Sequence, residues 1–200
     1  MAKTLGEFVE PDLGIREYLM IGFSPSSVPL RQRWRNNSLS ADFMADYVTT
    51  FFPAGDDSAQ YRRAEIKDAV SYIANELLEN AMKFSADTSK FPVDITLYLH
   101  QDELRFYVTN IVDSQAATSF HAVIEEILTS DAEEMYFRQL EENAAVEAAG
   151  SARVGYLTML SNYSTRLGCR FEPLTKHPES VAVTIVVRLD TGNPLRQPAS

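Results

Sequence analysis

Two hundred residues, 45% apolar and 10% aromatic, suffice to bury one full core, which excludes a disordered chain. A net charge of −10 argues against broad binding to nucleic acid or anionic membrane surfaces. The single cysteine, Cys169, excludes an internal disulfide framework and a Cys-rich zinc site.

In chain order, the start MAKTLGEFVEPD is turn-rich and has no apolar leader core. No apolar run approaches the roughly 20 residues of a membrane span, so the expectation is a cytoplasmic protein. Residues 15–23, IREYLMIGF, predict a strand. LRQRWR at 30–35 alternates, with Arg31, Arg33 and Arg35 on one face, and predicts a second strand closing an N-terminal hairpin over 15–35. The arginine row reads either as a solvated, edge-protecting face or as a docking surface for an acidic partner or a twin subunit. Ser40 predicts the cap of a helix over about 41–52, ended by PAGDD.

A long helix follows over 59–85. Ile66, Ile73, Leu77 and Phe84 recur at helical spacing as an apolar stripe, flanked by Val70 and Ala81. Turning each residue by about 100° sets Tyr72, Glu76, Asn80 and Lys83 in one row beside that stripe. A carboxylate and an amide four residues apart at the rim of a buried face can hold a hydrated Mg²⁺ and orient a water or hydroxyl. The same spacing also suits a solvated i, i+4 pair.

VDITLYLH (93–100) and ELRFYVTNIV (103–112) predict a hairpin around Gln101-Asp102. Helices are expected over 117–130 and 131–148. From Asp113 to Glu147 there are nine acids and one base, Arg138. That run reads as a solvated face or as a surface for a basic partner protein. Gly150-Ser151 predicts the start of a further helix to about Leu167, with Gly168 as its left-handed stop. CRFEPL and SVAVTIVVRLD predict a last antiparallel pair, before a mobile tail over 191–200. The three histidines are scattered, and His121 with Glu125 on a helix reads as an ordinary surface pair.

The spacing Glu76-x-x-x-Asn80-Ala81 resembles the N-box of the GHKL ATPases. The element order β-β-α-α-β-β-α-α-α-β-β resembles their Bergerat fold: α+β, a two-layer sandwich with a mixed, mostly antiparallel sheet and helices on one face. The N-terminal pattern is similar to that of the anti-sigma-factor serine kinases. WRNNSLSADFMADYVTTFFP resembles a largely cyanobacterial set related to the kinases of partner-switching modules. The resemblance covers about 15–190 and implies one histidine-kinase-like ATPase domain, with 114–149 as its lid.

It implies ATP and Mg²⁺, with Asn80 holding the metal and Glu76 as general base. It places Asn110 where the family has an adenine-reading Asp, with Asp113 as an alternative acceptor if the register slips. The two family glycines beyond that position are missing. Gly150, Ser151, Arg153 and Gly155 stand in the phosphate segment, and Lys83 lies within reach of a phosphate. At Asn110 and at the phosphate segment, a plain strand end and a plain capped helix remain equal alternatives. The implied function is a serine/threonine protein kinase acting on a small regulatory protein, such as a STAS-domain antagonist or a sigma factor. The alternative is a degenerate module that regulates by protein contact without catalysis. Neither reading involves nucleic acid or a membrane, and a homodimer through the N-terminal hairpin is compatible with both.

Overall fold

The computed structural model describes residues 2–12, 14–24, 34–52, 55–85, 91–145 and 152–192. Six strands and five helices follow in the order β1 (Lys3–Gly6), β2 (Tyr18–Phe23), α1 (Trp34–Thr49), α2 (Asp57–Phe84), β3 (Val93–Leu99), β4 (Glu103–Asp113), α3 (Ser114–Thr129), α4 (Ala132–Ala145), α5 (Ala152–Asn162), β5 (Arg166–Leu174) and β6 (His177–Asp190). The strands form one open sheet in the order β1-β5-β6-β4-β3-β2. Every pairing is antiparallel, so the architecture is α+β with no parallel component in the sheet.

One sheet face carries the core. Leu97, Leu104, Phe106, Val108, Val183, Ile185 and Val187 are buried there under the helices. Helix α2 crosses β3 and β4, α1 lies along α2, and α3 and α5 cover the β5–β6 side. Asp56 caps α2 by accepting from the Ala59 amide at 3.0 Å. Ile66, Val70, Ile73, Leu77 and Ala81 are buried as the spacing predicts, but Phe84 is 42% exposed and leaves the stripe at the helix end.

Among the described residues there is no N-terminal hairpin. The partner of β2 is β3, in register Ile21↔Ile95, and Trp34 and Arg35 already belong to α1. Arg31 and Arg33 lie outside the described residues. The physical reason is a competing period. Asn37, Ala41, Met44, Ala45 and Val48 are all buried, a helical stripe that begins before Ser40.

The edge strand is instead Lys3–Gly6, paired with β5. Gly6 takes a left-handed φ of 61° and stands opposite Gly168. The chain then folds back over the second sheet face so closely that a Cβ on Gly168 would sit 2.5 Å from the Phe8 Cα. Gly168 is therefore a crossing point inside β5, not a helix stop; the left-handed residue after α5 is Ser164, at φ 50°. The crossing segment is fixed by Tyr107, whose hydroxyl donates to the Val9 carbonyl at 3.1 Å, and by Arg170, which binds Glu10 at 2.6 Å.

Replacing Gly168 with Ala forces backbone against backbone and is expected to cost about 1–3 kcal/mol. A urea titration would show a lower midpoint with an unchanged slope.

Candidate functional site

A cavity of about 670 Å³ opens between α2, α3, α5 and the β4–β6 part of the sheet. Its wall includes Asn80, Ala81 and Phe84 from α2, and Asn110 and Val112 from β4. Ala116, Ser119, Phe120 and Val123 of α3, Arg153 and Tyr156 of α5, and Val183 and Ile185 of β6 complete it. The surface is mostly apolar with a few polar side chains converging on it, the usual make-up of a small-molecule site, and the volume lies in the usual range.

Asn110 lies on the wall, buried in the sheet, and donates from Nδ2 to the Ala81 carbonyl at 3.2 Å. That bond ties the strand end to α2 and turns the Asn110 carbonyl oxygen away from Ala81. Asn80 is also buried, and its Nδ2 is shut off from solvent with no hydrogen-bond partner. A buried orphan amide costs the fold about 1–3 kcal/mol.

Glu76 lies one turn before Asn80, half-buried, and is not part of the cavity wall. The α5 backbone packs on it at Gly155, where a Cβ would collide with the Glu76 carboxylate. A larger residue there would push the carboxylate aside. Burial is the main cause that raises the Glu76 carboxyl above its ordinary 4.5; Glu79 adds to the rise and Lys83 opposes it. A raised carboxylate beside a cavity is a candidate general base.

The other expected site residues divide. Arg153 lines the cavity and donates to Glu126 of α3 at 2.8 Å. Lys83 is exposed, with its ammonium 5.5 Å from the Phe84 ring centre, and is not on the wall. Asp113 does not line the cavity either; its carboxylate caps α3 by accepting from the Ala116 amide at 2.7 Å. Gly150 and Ser151 lie outside the described residues.

Three aromatic wall residues were not expected at a site: Phe84 and Phe120 bring rings from α2 and α3 to the cavity, and Tyr156 brings one from α5. Tyr156 stands three residues after Arg153, one helical turn on, and that spacing was the available signal.

Among the described residues no group of three or more His, Cys, Asp or Glu is placed to hold a metal. No described helix is long and apolar enough to cross a membrane.

An open antiparallel sheet, a long helix carrying Glu76 and Asn80 across it, and a cavity closed by α3 and α5 together make a GHKL-like fold. The structure of a SiaB–SiaC complex from Pseudomonas aeruginosa contains a chain that matches with a TM-score of 0.56 and 14% identity, over 86% of this chain and 89% of that one. A mycobacterial sensor histidine kinase, MprB, matches with a TM-score of 0.35 and 18% identity, over 66% of this chain and 74% of that one. No protein-family profile and no curated protein matches the sequence.

The raised Glu76 carboxyl fixes a sign. An acid whose folded value lies above its unfolded one stabilises the fold when protonated, and that contribution is lost as pH rises from the ordinary 4.5 through the folded value. Glu76→Gln is therefore expected to unfold at higher urea than wild type at pH 7.5, the gain shrinking as the pH falls to 4.5. Urea midpoints at the two pH values check this.

Proposed function

We propose that the protein is a GHKL-type regulatory protein that binds Mg²⁺-ATP in the 670 Å³ cavity and phosphorylates a serine or threonine of a small regulatory protein. The observation that carries this is the pair on α2: a buried Asn80 amide at the cavity wall, and one turn before it a half-buried Glu76 whose carboxyl is held above its ordinary range. The fold likeness to a chain of the SiaB–SiaC complex supports a protein partner, and the sequence resemblance points to a STAS-domain antagonist as its class.

The residues present fit such a ligand. The apolar floor of Ala81, Val112, Val183 and Ile185, with Phe84 and Phe120 beside it, suits a purine ring. The Asn110 carbonyl can accept from an exocyclic amine while its Nδ2 stays on Ala81. The Arg153 guanidinium can exchange Glu126 for a phosphate, because a half-exposed ion pair is worth only about 0–1 kcal/mol. For the metal the chain supplies one amide oxygen, that of Asn80. That is enough for Mg²⁺, which keeps several waters and takes the rest of its ligands from phosphates. Bound there, Mg²⁺ neutralises phosphate charge.

Glu76 takes the proton of the partner's hydroxyl as its oxygen bonds to the terminal phosphorus and ADP leaves. Positioning and charge neutralisation carry such a reaction more than covalent chemistry does.

A second reading, a nucleotide-binding regulator without catalysis, is favoured by one observation. Glu76 stands behind Gly155 and off the cavity wall, so a hydroxyl must find another approach to it.

Calorimetric titration with Mg-ATP is expected to give heat, and a thermal scan an upward shift. Asn80→Ala is expected to weaken binding about ten- to a hundredfold, the worth of roughly 1.5–3 kcal/mol for a bond to a charged group. Glu76→Gln is expected to retain binding and lose phosphoryl transfer to the partner. Binding with no transfer in the wild type supports the second reading. No heat and no thermal shift would overturn both.

A further inference from the structure

Among the described residues the cavity wall carries one charged side chain, Arg153. It is already engaged. Its Nη2 donates to Oε2 of Glu126 at 2.8 Å, and Glu126 stands on α3, off the wall. The bond joins the first turn of α5 to α3, the two helices that close the cavity. A guanidinium left alone beside a mostly apolar surface would be poorly solvated, and a carboxylate relieves that.

The same carboxylate is a rival to an anionic ligand. Carboxylate and phosphate oxygens seek the same guanidinium donors, and a phosphate can take two of them at once. Glu126 is 44% exposed, so water receives its carboxylate when the guanidinium turns away. We propose that Glu126 is an internal competitor of the nucleotide: it occupies Arg153 while the cavity is empty, and a phosphate must displace it. Glu126 then sets how tightly a phosphorylated ligand is held relative to the same ligand without phosphate. This rests on the nucleotide reading above and adds the regulation of that site.

Two other roles for Glu126 lead to different results. If the carboxylate orients Arg153 for the ligand, neutralising it weakens binding. If Glu126 acts only as one more negative charge on α3, neutralising any neighbouring acid tightens binding as much. Glu125 is the control for that case, because it is adjacent, 60% exposed and paired with His121 at 3.8 Å instead of with Arg153.

The full chain is titrated calorimetrically with Mg-ATP and, separately, with adenosine. Wild type is compared with Glu126→Gln, Glu125→Gln, Arg153→Gln and the Arg153→Gln, Glu126→Gln double variant. Glu126→Gln is expected to bind Mg-ATP about two- to fivefold more tightly than wild type, the scale of a half-exposed ion pair, and to bind adenosine unchanged. Glu125→Gln is expected to give a clearly smaller gain. In the Arg153→Gln background Glu126→Gln is expected to add nothing, since the carboxylate acts only through the guanidinium.

Mg-ATP binding that Glu126→Gln leaves unchanged or weakens would overturn this inference and spare the nucleotide site. So would an equal gain from Glu125→Gln, an equal gain with adenosine, or a gain that persists without Arg153. Mg-ATP binding seen in Glu126→Gln and not in wild type is the expected result in its strongest form. No binding by either removes the nucleotide reading, and this inference with it.

Discussion

The rotational setting of α2 decides where everything else in the cavity stands. The helix is held on three sides, by β3 and β4 beneath it, α1 along one flank and α5 across the other. Ile66, Val70, Ile73 and Leu77 are buried in that grip, three of them at 0% exposure. Burying one such side chain is worth about 1.5–3 kcal/mol. Rolling the helix far enough to release Asn80 into solvent would expose several of them. The relief of one orphan amide, about 1–3 kcal/mol, is too small to drive that. The apolar stripe therefore keeps a polar atom in a place that is unfavourable for the fold alone, and Asn80 keeps its depth because Leu77 and Ala81 keep theirs.

The same reasoning explains why this part of the chain was legible in the sequence. A 28-residue helix without Gly or Pro gives its period many chances to repeat, so both the stripe and the row of Glu76 and Asn80 beside it follow from the residues. The β3–β4 hairpin was equally plain, because apolar and polar residues alternate on both sides of Gln101-Asp102. Asn110 at the strand end and Arg153 at the helix start lie on the cavity wall, at positions that only the family resemblance implied.

Short or doubly periodic stretches were not legible. LRQRWR alternates over six residues, but its last two, Trp34 and Arg35, begin α1, whose stripe of Asn37, Ala41, Met44 and Val48 is buried, and tertiary burial overrides so short a pattern. Strand β1 is four residues long and gains its place by pairing with β5, which no local signal announces. Gly168 is a glycine for a contact made across the sheet with Phe8, and a helix stop looks the same in one dimension. Tyr156 was hidden because an aromatic in an apolar helix reads as core. It is core by burial, and only the unpartnered hydroxyl sets it apart.

The arginines show how packing decides which charges remain available to a ligand. Arg105, Arg166 and Arg188 converge on Glu103 on the second sheet face, with Glu7 of the crossing segment joining them. The Glu103 side chain is only 7% exposed. Burial opposes its ionisation, yet hydrogen bonds from Arg105 and Arg188 outweigh that and hold the carboxyl below its ordinary range. Withdrawing a guanidinium from that cluster would leave charge uncompensated in a poorly solvated place, a loss of about 3–5 kcal/mol for a fully buried pair. Arg153 differs. Its partner Glu126 is 44% exposed, so water can take over the carboxylate when the guanidinium leaves. Among the described residues it is the only arginine on the cavity wall, and the cation that can be spared is therefore the one that stands where an anionic ligand would arrive.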